Sequence, residues 1–316
     1  MMARKSAPPP PWLTRSAALA SVAVALMLVA LKGWSAWTTG SAAMLGSLAE
    51  TALDLVASMV TLASVTIAAL PADHNHRFGH GKAEALSAFL QVLLISVSAL
   101  AIGWHAAGAL LGGDRVAQAE AGIAVSMVAM AVTLALLGWQ RHVVRRTGSL
   151  AISADHAHYQ SDLLLNAAVI AALALDRFAG AAWADPVFGI LIAGWLLWGA
   201  ARTGMVAVGQ LMDTEWPPEK RARVVAIARR HPELSNLHDL RTRTSGAQEF
   251  IQFHIELPAR MTVAAAHRIV ERLERDIKAG FPGAEVLIHI DPAGHVDAPD
   301  NPLVERNEFA TGEPPA

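Results

Sequence analysis

Six long apolar segments, separated by short polar connections, occupy the first two thirds of the chain. Each holds the roughly 20 residues that a helix needs to cross the hydrocarbon core of a bilayer. The pattern therefore predicts six transmembrane helices, at residues 13–34, 41–70, 83–111, 119–139, 150–175 and 186–208.

The pattern changes near residue 213, where charged residues become more frequent and the apolar period varies. Helical periodicity now alternates with the two-residue periodicity of strands. The predicted order is αββαβ, with helices at 217–230 and 262–279 and strands at 237–244, 249–257 and 285–290. This order predicts a small α+β domain with its helices on one face of a sheet.

Composition supports a membrane protein with a soluble portion, since 53% of residues are hydrophobic and only 16% are charged. The net charge of −2 provides no basic field, so we expect no nucleic-acid partner. The chain has no Cys. Disulfides and thiolate metal sites are thereby excluded, and any metal must be bound by His, Asp or Glu.

Basic residues indicate the orientation of the helices. They are concentrated before the first segment, in the even-numbered connections and after the sixth segment, whereas the opposite side has only Lys32, Arg115 and Arg177. By the positive-inside rule, both termini are expected in the cytoplasm of a multi-pass protein of the plasma membrane.

Ionisable residues inside the apolar segments are the strongest indication of function. Glu50 and Asp54 in the second segment, and His158 and Asp162 in the fifth, are each spaced i, i+4 and so share a helix face. Both pairs are expected roughly 15–18 Å deep, near the middle of the bilayer. Ionisable groups at that depth are costly and indicate a functional site.

Three carboxylates and an imidazole suit a divalent ion such as Zn²⁺, Fe²⁺, Mn²⁺ or Co²⁺. The carboxylates would repel one another, with no intramembrane Arg or Lys to compensate them. A divalent cation removes this repulsion, and protons remove it when the ion is absent. The alternative is a set of buried polar contacts between helices.

Two further groups have ligand-like spacing. The cytoplasmic connection after the second segment contains Asp73, His76 and His80, with His74 as a spare; alternatively it is a solvated loop rich in His. The soluble domain contributes a larger group, in which residues 289 and 291 lie on one side of a strand. Its members are His238, His254, His267, His289 and Asp291. The alternative is that these are scattered surface residues without a shared ligand.

These residues lie in motifs that resemble the cation diffusion facilitator family, specifically its bacterial iron/zinc efflux members. The resemblance covers roughly residues 13–292. Its most specific stretches are Glu50-x3-Asp54, His158-Tyr-Gln-Ser-Asp162, and the runs at 71–84, 239–246, 250–254 and 281–292.

The resemblance implies a homodimeric antiporter with six helices per subunit and a cytoplasmic ferredoxin-like domain. It would export Zn²⁺ or Fe²⁺, with Mn²⁺, Co²⁺ and Cd²⁺ as further candidates, in exchange for protons. The family's transport site falls on Glu50, Asp54, His158 and Asp162. Its loop site falls on Asp73, His76 and His80. Its paired soluble-domain site falls on the five residues given above.

The resemblance also implies a salt bridge at the dimer hinge, which falls on Lys82 and Asp213. One position departs from the family pattern, because Glu50 stands where the iron/zinc members usually have Asp. The longer side chain keeps the charge and moves the carboxylate by about one C–C bond. Glu50 is therefore a ligand or a proton acceptor at the rim of the site.

We therefore expect a cytoplasmic N-terminal tail (1–12), a six-helix transmembrane transport domain (13–212), a cytoplasmic metal-binding domain (213–295) and a disordered tail (296–316). Metal would be the substrate and a structural or regulatory ion, and no catalytic cofactor is expected.

Two alternatives are a non-transporting metal sensor in the membrane and an intramembrane metalloenzyme. A sensor would be expected to lose the midplane ligands, yet all four positions are ionisable. An enzyme would need a general base and an open coordination position. The motifs His-Glu-x-x-His and Gly-x-Ser-x-Gly are absent, so we expect a protein that is not an enzyme.

Overall fold

The computed structural model describes residues 10–39, 42–112, 123–179, 183–294 and 307–309. The chain forms two compact units, Pro9–Leu211 and Met212–Ala316. The first unit is helical, and the second combines helices with a sheet.

Six long helices make up the first unit. They are α1 Trp12–Thr39, α2 Ala42–Ala68, α3 Lys82–Gly112, α4 Ile123–Thr147, α5 Leu150–Ala179 and α6 Ala184–Leu211. The largest difference from the predicted bounds is at the end of α4, which continues beyond Trp139. Its last turn contains Arg145 and Arg146, and positive charges are favourable at the negative end of a helix dipole.

Five of the described helices have both the length and the apolar composition of a membrane span. These spans are Trp12–Thr38, Ser47–Ala68, Lys82–Leu111, Met127–Thr147 and Pro186–Leu211. Helix α5 has 30 residues, which is long enough, but its first half contains Asp155, His156, His158 and Asp162. The polar residues that indicate a functional site are also those that lower its mean hydropathy.

The start of α5 is fixed by a tight connection from α4. Gly148 has φ +67°, a left-handed conformation that glycine adopts without a steric penalty. The buried Glu84 of α3 then accepts hydrogen bonds from Ser149 Oγ at 2.6 Å and from the backbone N–H of Leu150 at 3.1 Å. This contact satisfies an otherwise free N–H at the first turn of α5.

Small residues let α3 and α6 approach closely. A Cβ atom added at Gly189 would lie 2.9 Å from the Cβ of Ala106, which is closer than real Cβ atoms come. Close backbone approach through small residues is a usual means of packing helices in membranes, where apolar burial provides little driving force.

A buried hydrogen-bond network links α5 directly to α1, α3 and α4, and through α3 to α2. Asp155 is fully buried, and its carboxylate accepts from Ser21 Oγ of α1 at 2.6 Å and from Gln140 Nε2 of α4 at 2.8 Å. Gln91 Nε2 of α3 lies 3.3 Å from the other carboxylate oxygen and also donates to Thr61 Oγ1 of α2. The network fixes the rotation of α5, because a polar group at this depth has no water to replace a lost partner.

The second unit contains α7 Pro218–Ala228, β1 Asn236–Ser245, β2 Gln248–Leu257, α8 Val263–Gly280 and β3 Ala284–Pro292. The order αββαβ and each element agree with the sequence prediction to within about two residues. The sheet order is β1-β2-β3, in which β1 and β2 are antiparallel and β2 and β3 are parallel. The crossover through α8 is what permits the parallel pairing.

Apolar side chains from both helices and all three strands form one core in this unit. Its fully buried members include Leu237, Ile251, Ile255, Leu273 and Ile277. They alternate along the strands and recur at helical spacing on α8, which is the pattern that predicted the domain.

Part of the predicted disordered tail is ordered. Residues 296–306 and 310–316 lie outside the described residues, but Phe309 packs against the core of the second unit. The N–H of Glu308 donates to the carbonyl of Leu237 at 2.9 Å, and Arg229 Nη2 donates to the carbonyl of Glu308 at 2.7 Å. One aromatic side chain and two hydrogen bonds to backbone groups thus connect residues 307–309 to the second unit.

The Asp155 network yields a stability prediction. Asp155→Ala removes the acceptor shared by Ser21, Gln91 and Gln140. A buried donor left without a partner costs about 1–3 kcal/mol, so we expect the free energy of unfolding in detergent to fall by roughly 2–4 kcal/mol. Asp155→Asn, which keeps one acceptor oxygen, should lose less.

The control is Ser96→Ala, which removes only a hydrogen bond to the carbonyl of Val92 in the same helix. Its effect should stay within about 0.5 kcal/mol. If Asp155→Ala destabilised the protein no more than Ser96→Ala, the network would not be what holds α5 in place.

Candidate metal sites

Helices α2 and α5 bring together three of the predicted transport ligands. Ligand atoms of Asp54, His158 and Asp162 all lie within 4.8 Å of one another. His158 Nε2 is 3.0 Å from Asp54 Oδ1 and 3.8 Å from Asp162 Oδ2. The imidazole therefore lies between two carboxylates, in an arrangement of donor atoms that suits a small divalent ion.

A cavity of about 250 Å³ opens beside this cluster. Its wall includes both carboxylates of the cluster, Asp54 and Asp162, and residues from α1, α2, α4 and α5. The cavity is large enough for a hydrated ion, since a water molecule occupies about 30 Å³.

Glu50 lines this cavity but lies outside the cluster of ligand atoms. It is one helical turn before Asp54 and its side chain is exposed. The structure thus places three of the four predicted ligands together, with Glu50 on the wall beside them. Its role, as a ligand or as a proton acceptor at the rim, remains a prediction.

Two interhelical contacts support His158 from the neighbouring position on α5. The hydroxyl of the buried Tyr159 lies 2.9 Å from Ser58 Oγ of α2 and 3.2 Å from the carbonyl of Ser21 of α1. Asp155, one turn before His158, has the network described above. These contacts hold in place the turn of α5 that carries His158, although none of them involves a metal ligand.

Sequence reasoning did not identify this supporting network. Its signal was present as single polar residues inside otherwise apolar segments, such as Ser21, Thr61, Gln91 and Gln140. Each such residue at membrane depth requires a partner, but the sequence does not state which helix supplies it.

The place of Lys32 also differs from the sequence prediction. The positive-inside pattern assigns it to the outer side, and the four predicted ligands were expected to have no intramembrane Lys or Arg beside them. The structure places Lys32 within α1, seven residues before Thr39, where it lines the cavity together with Glu50, Asp54 and Asp162. Lys32 already lies inside the predicted first span, 13–34, so the expectation that no intramembrane Lys accompanies the carboxylates is wrong.

The loop between α2 and α3 brings its three predicted residues together. Ligand atoms of Asp73, His76 and His80 lie within 4.8 Å of one another. His76 Nδ1 is 3.2 Å and His80 Nε2 3.4 Å from the Asp73 carboxylate. His74, the spare, is exposed and is not part of this group.

Asp73 is held by its own loop. Its Oδ1 accepts hydrogen bonds from the backbone N–H of His76 at 2.6 Å and of Asn75 at 2.9 Å. The bond from His76 is the main reason that the pKa of Asp73 lies below its usual value. The carboxylate therefore remains charged and oriented without a metal.

The sheet of the second unit aligns three histidines. His238 of β1, His254 of β2 and His289 of β3 are direct partners in the strand register. Asp291 lies two residues further along β3, on the same side. Ligand atoms of His238, His254 and Asp291 lie within 4.8 Å of one another, and His254 Nδ1 is 2.9 Å from Asp291 Oδ2.

The two remaining predicted residues lie differently. His289 Nε2 is 3.3 Å from Asp291 Oδ1, at the border of the cluster, and its side chain is 64% exposed. His267 lies on α8 with a 70% exposed side chain, and its nearest charged partner is Glu271 at 3.5 Å. The structure does not bring His267 to the cluster within one chain.

A bulge in β1 adds one carboxylate that sequence reasoning missed. The register shifts between His238 and Arg241, and Asp239 has φ +49°. Asp239 Oδ2 consequently lies 3.8 Å from His254 Nε2. Strand alternation would have placed Asp239 on the face opposite His238, so no spacing argument predicts this approach.

The predicted hinge residues belong to different units. Lys82 Nζ donates to the carbonyl of Leu211 at 3.1 Å within the helical unit. Asp213 Oδ1 is 3.5 Å from Arg243 Nη1 within the second unit. The Lys82–Asp213 salt bridge remains a prediction.

Comparison with known proteins covers nearly the whole chain. Residues 18–212 match the family model described as "Cation efflux transmembrane domain", and residues 216–293 match "Cation efflux protein, cytoplasmic domain". The cation-efflux pump FieF of Cronobacter sakazakii is 40% identical over 284 residues, which are 90% of this chain and 94% of that protein.

FieF of Shewanella oneidensis is 42% identical over 276 residues, which are 87% of this chain and 93% of that protein. Among solved structures, the metal-bound C-terminal domain of the CzcD transporter from Thermotoga maritima is 29% identical, with a TM-score of 0.23. The matched region is 25% of this chain and 93% of the CzcD domain. The two family matches and the full-length relatives show that the chain belongs to the cation diffusion facilitator family of cation-efflux proteins.

Proposed function

We propose that the protein is a divalent metal cation/proton antiporter that exports Zn²⁺ or Fe²⁺ from the cytoplasm. Mn²⁺, Co²⁺ and Cd²⁺ are further candidate substrates. The observation that carries the proposal is the cluster of Asp54, His158 and Asp162 beside a cavity in a unit of membrane-spanning helices. The relatives named cation-efflux pump FieF support the direction of transport.

Exchange for protons follows from the chemistry of the ligands. Carboxylates and imidazole bind a metal ion only when deprotonated, so metal and protons compete for the same atoms. Metal is bound on the side where protons are scarce and released where they are abundant. The carboxylates of Asp54 and Asp162 both lie within 4 Å of His158. With neither a metal ion nor a proton bound, two negative charges would stand beside a neutral imidazole, which is costly away from bulk water.

We place the protein in the inner membrane of a bacterium, with six spans and both termini in the cytoplasm. Helix α5 is the one span to be added to the five that composition identifies. Its less apolar half contains the residues that contact other helices or line the cavity. Such a helix inserts because its neighbours satisfy its polar groups.

The loop site of Asp73, His76 and His80 is proposed to bind an ion on the cytoplasmic side before transport. Its carboxylate is oriented by backbone bonds, and the site is mostly exposed. An exposed site exchanges ions rapidly with the solvent, which suits a position before the transport site.

The second unit is proposed to be a ferredoxin-like domain that forms the homodimer and binds a structural or regulatory metal. His238, His254 and Asp291 provide the ligands within one chain, and the exposed His289 borders them. His267 lies apart from them in one chain, so its predicted role requires the second copy of the domain.

Two alternatives remain weaker. The family consists of cation-efflux transporters, so membership confirms that the chain is not an enzyme. A non-transporting sensor would not need a metal cluster in the membrane, and here all three ligands of that cluster are present and close together.

The first functional prediction concerns Asp162→Ala in protein reconstituted into sealed vesicles. Loss of one carboxylate from the cluster should lower proton-driven Zn²⁺ uptake by more than about tenfold, since even residues that only orient ligands contribute that much. Initial rates with a fluorescent Zn²⁺ indicator measure the effect.

The matched control for Asp162→Ala is Asp276→Ala, which removes an exposed carboxylate of α8 that contacts His231 outside all three clusters. It should retain the uptake rate of the unmutated protein. Unchanged uptake in Asp162→Ala would exclude the proposed transport site, and absence of uptake in the unmutated protein would favour the sensor.

Metal flux should also depend on the proton gradient. Metal is released where protons occupy the ligands, so uptake should rise with an imposed pH difference and collapse when an ionophore removes it. Simultaneous recording of a pH-sensitive and a Zn²⁺-sensitive dye would detect proton movement opposite to the metal. Flux that is the same with and without the gradient would contradict antiport.

A third prediction concerns the homodimer. Zn²⁺ should shorten the distance between the two copies of the second unit, because it neutralises facing ligands. The chain has no Cys, so Val263→Cys, at an exposed position that begins α8, permits a single spin label per subunit. Double electron–electron resonance between the two labels would give the distance.

His254→Ala in the labelled protein is the control and should abolish the response to Zn²⁺. Label distances that are identical with and without metal in the unmutated background would count against a dimer closed by this site.

A further inference from the structure

The wall of the cavity beside the transport cluster includes a positively charged side chain, Lys32. Among the residues that the structure describes, Lys32 is the only basic side chain in the cavity wall, where it accompanies the carboxylates of Glu50, Asp54 and Asp162. A Lys in a membrane-spanning helix is costly and is found where it pairs with another group or performs a function.

Lys32 is held toward α2 by a specific contact. Its Nζ donates to Thr51 Oγ1 at 2.7 Å, and Thr51 Oγ1 in turn donates to the carbonyl of Ser47 at 3.1 Å. Thr51 directly follows Glu50 and is three residues before Asp54, so it lies on the same face of α2 as Asp54. The contact keeps the ammonium group at the helical turn that carries both carboxylates.

The charges in the cavity suggest what this contact does. Three carboxylates and one ammonium leave two net negative charges when His158 is neutral, as it must be to bind a metal. A divalent ion balances them. Without Lys32, the same site would retain one negative charge beyond what a divalent ion neutralises.

We propose that Lys32 is a resident counter-cation of the transport site, which weakens metal binding enough for release and sets the site's preference for divalent charge. The proposal rests on the proposed transport function. Repulsion between the ammonium and the bound ion raises the free energy of the loaded state. After the ion leaves, the ammonium partly compensates the carboxylates.

This role differs from that of a ligand. An ammonium group has no lone pair and cannot bind a metal, so Lys32 acts only through its charge. Its effect must therefore increase with the charge of the bound ion, because Coulomb energy is proportional to that charge. A merely structural Lys would change the binding of all ions alike.

The test compares Lys32→Met with Lys32→Arg. Lys32→Met, an uncharged chain of similar length, should bind Cd²⁺ at the transport site about tenfold more tightly or better. It should bind Tb³⁺ with a still larger gain and should show a lower maximal rate of Cd²⁺ uptake. Lys32→Arg keeps the charge and should restore both affinities and rate toward those of the unmutated protein.

Binding is measured by equilibrium dialysis of the full-length protein in detergent. Each variant is also measured with Asp162→Ala added. Subtracting the metal bound by that double variant removes the contribution of the other two sites and leaves the metal bound at the transport site. The matched control is Lys278→Met on α8, which breaks an exposed pair with Glu274 and should change neither affinity nor rate.

The outcomes separate the two proposals. If the unmutated protein transports Cd²⁺ but Lys32→Met changes affinity less than twofold, or equally for Cd²⁺ and Tb³⁺, the counter-cation role is wrong and transport stands. If the unmutated protein transports no metal, the proposed function fails, and the dialysis comparison still decides whether Lys32 weakens binding at the cluster.

Discussion

Polar side chains inside membrane-spanning helices must find their partners within the protein, because the hydrocarbon core offers none. The position of the metal cluster depends on this constraint. Asp155 accepts hydrogen bonds from α1 and α4 and lies within reach of Gln91 of α3, which fixes the rotation of α5. One turn later, that rotation places His158 against Asp54 of α2. The cluster thus shares a helix with the network that orients it, although the two have no residue in common.

The helices and the strands were predictable because their signals are local, and the members of the three ligand groups were proposed from their spacing together with the family resemblance. Apolar length identifies a span, and i, i+4 spacing identifies a shared helix face. What depends on contacts between elements was not predictable. Lys32 lies near the outer end of the predicted first span and was counted with the outer connections, whereas in the structure it lines the cavity beside the carboxylates. The bulge that brings Asp239 near His254 arises from strand pairing, which alternation along β1 cannot reveal.

The three clusters use the same ligand types in environments that differ in exposure. In the loop, Asp73 and His76 are exposed, and backbone bonds keep the carboxylate charged. In the sheet, Asp291 and His238 are buried, so a bound ion is shielded and its exchange should be slow. The membrane cluster is intermediate, half-buried and open to a cavity. The roles proposed for the three sites, capture, transport and structural binding, thus differ by access to solvent rather than by donor chemistry.

Glu50 and Lys32 are best understood together. Glu50 stands one turn from the ligand cluster, and Lys32 is bonded to the residue that follows it. A carboxylate at the rim attracts an incoming cation, whereas the ammonium that α1 holds against that turn of α2 limits how tightly the ion is then bound. A transport site must bind its ion well enough to load and weakly enough to unload. Opposite charges that meet at one turn of α2, Glu50 from α2 itself and Lys32 from α1, provide both conditions without altering the three ligands, so affinity can be adjusted at the cavity wall while coordination geometry is preserved.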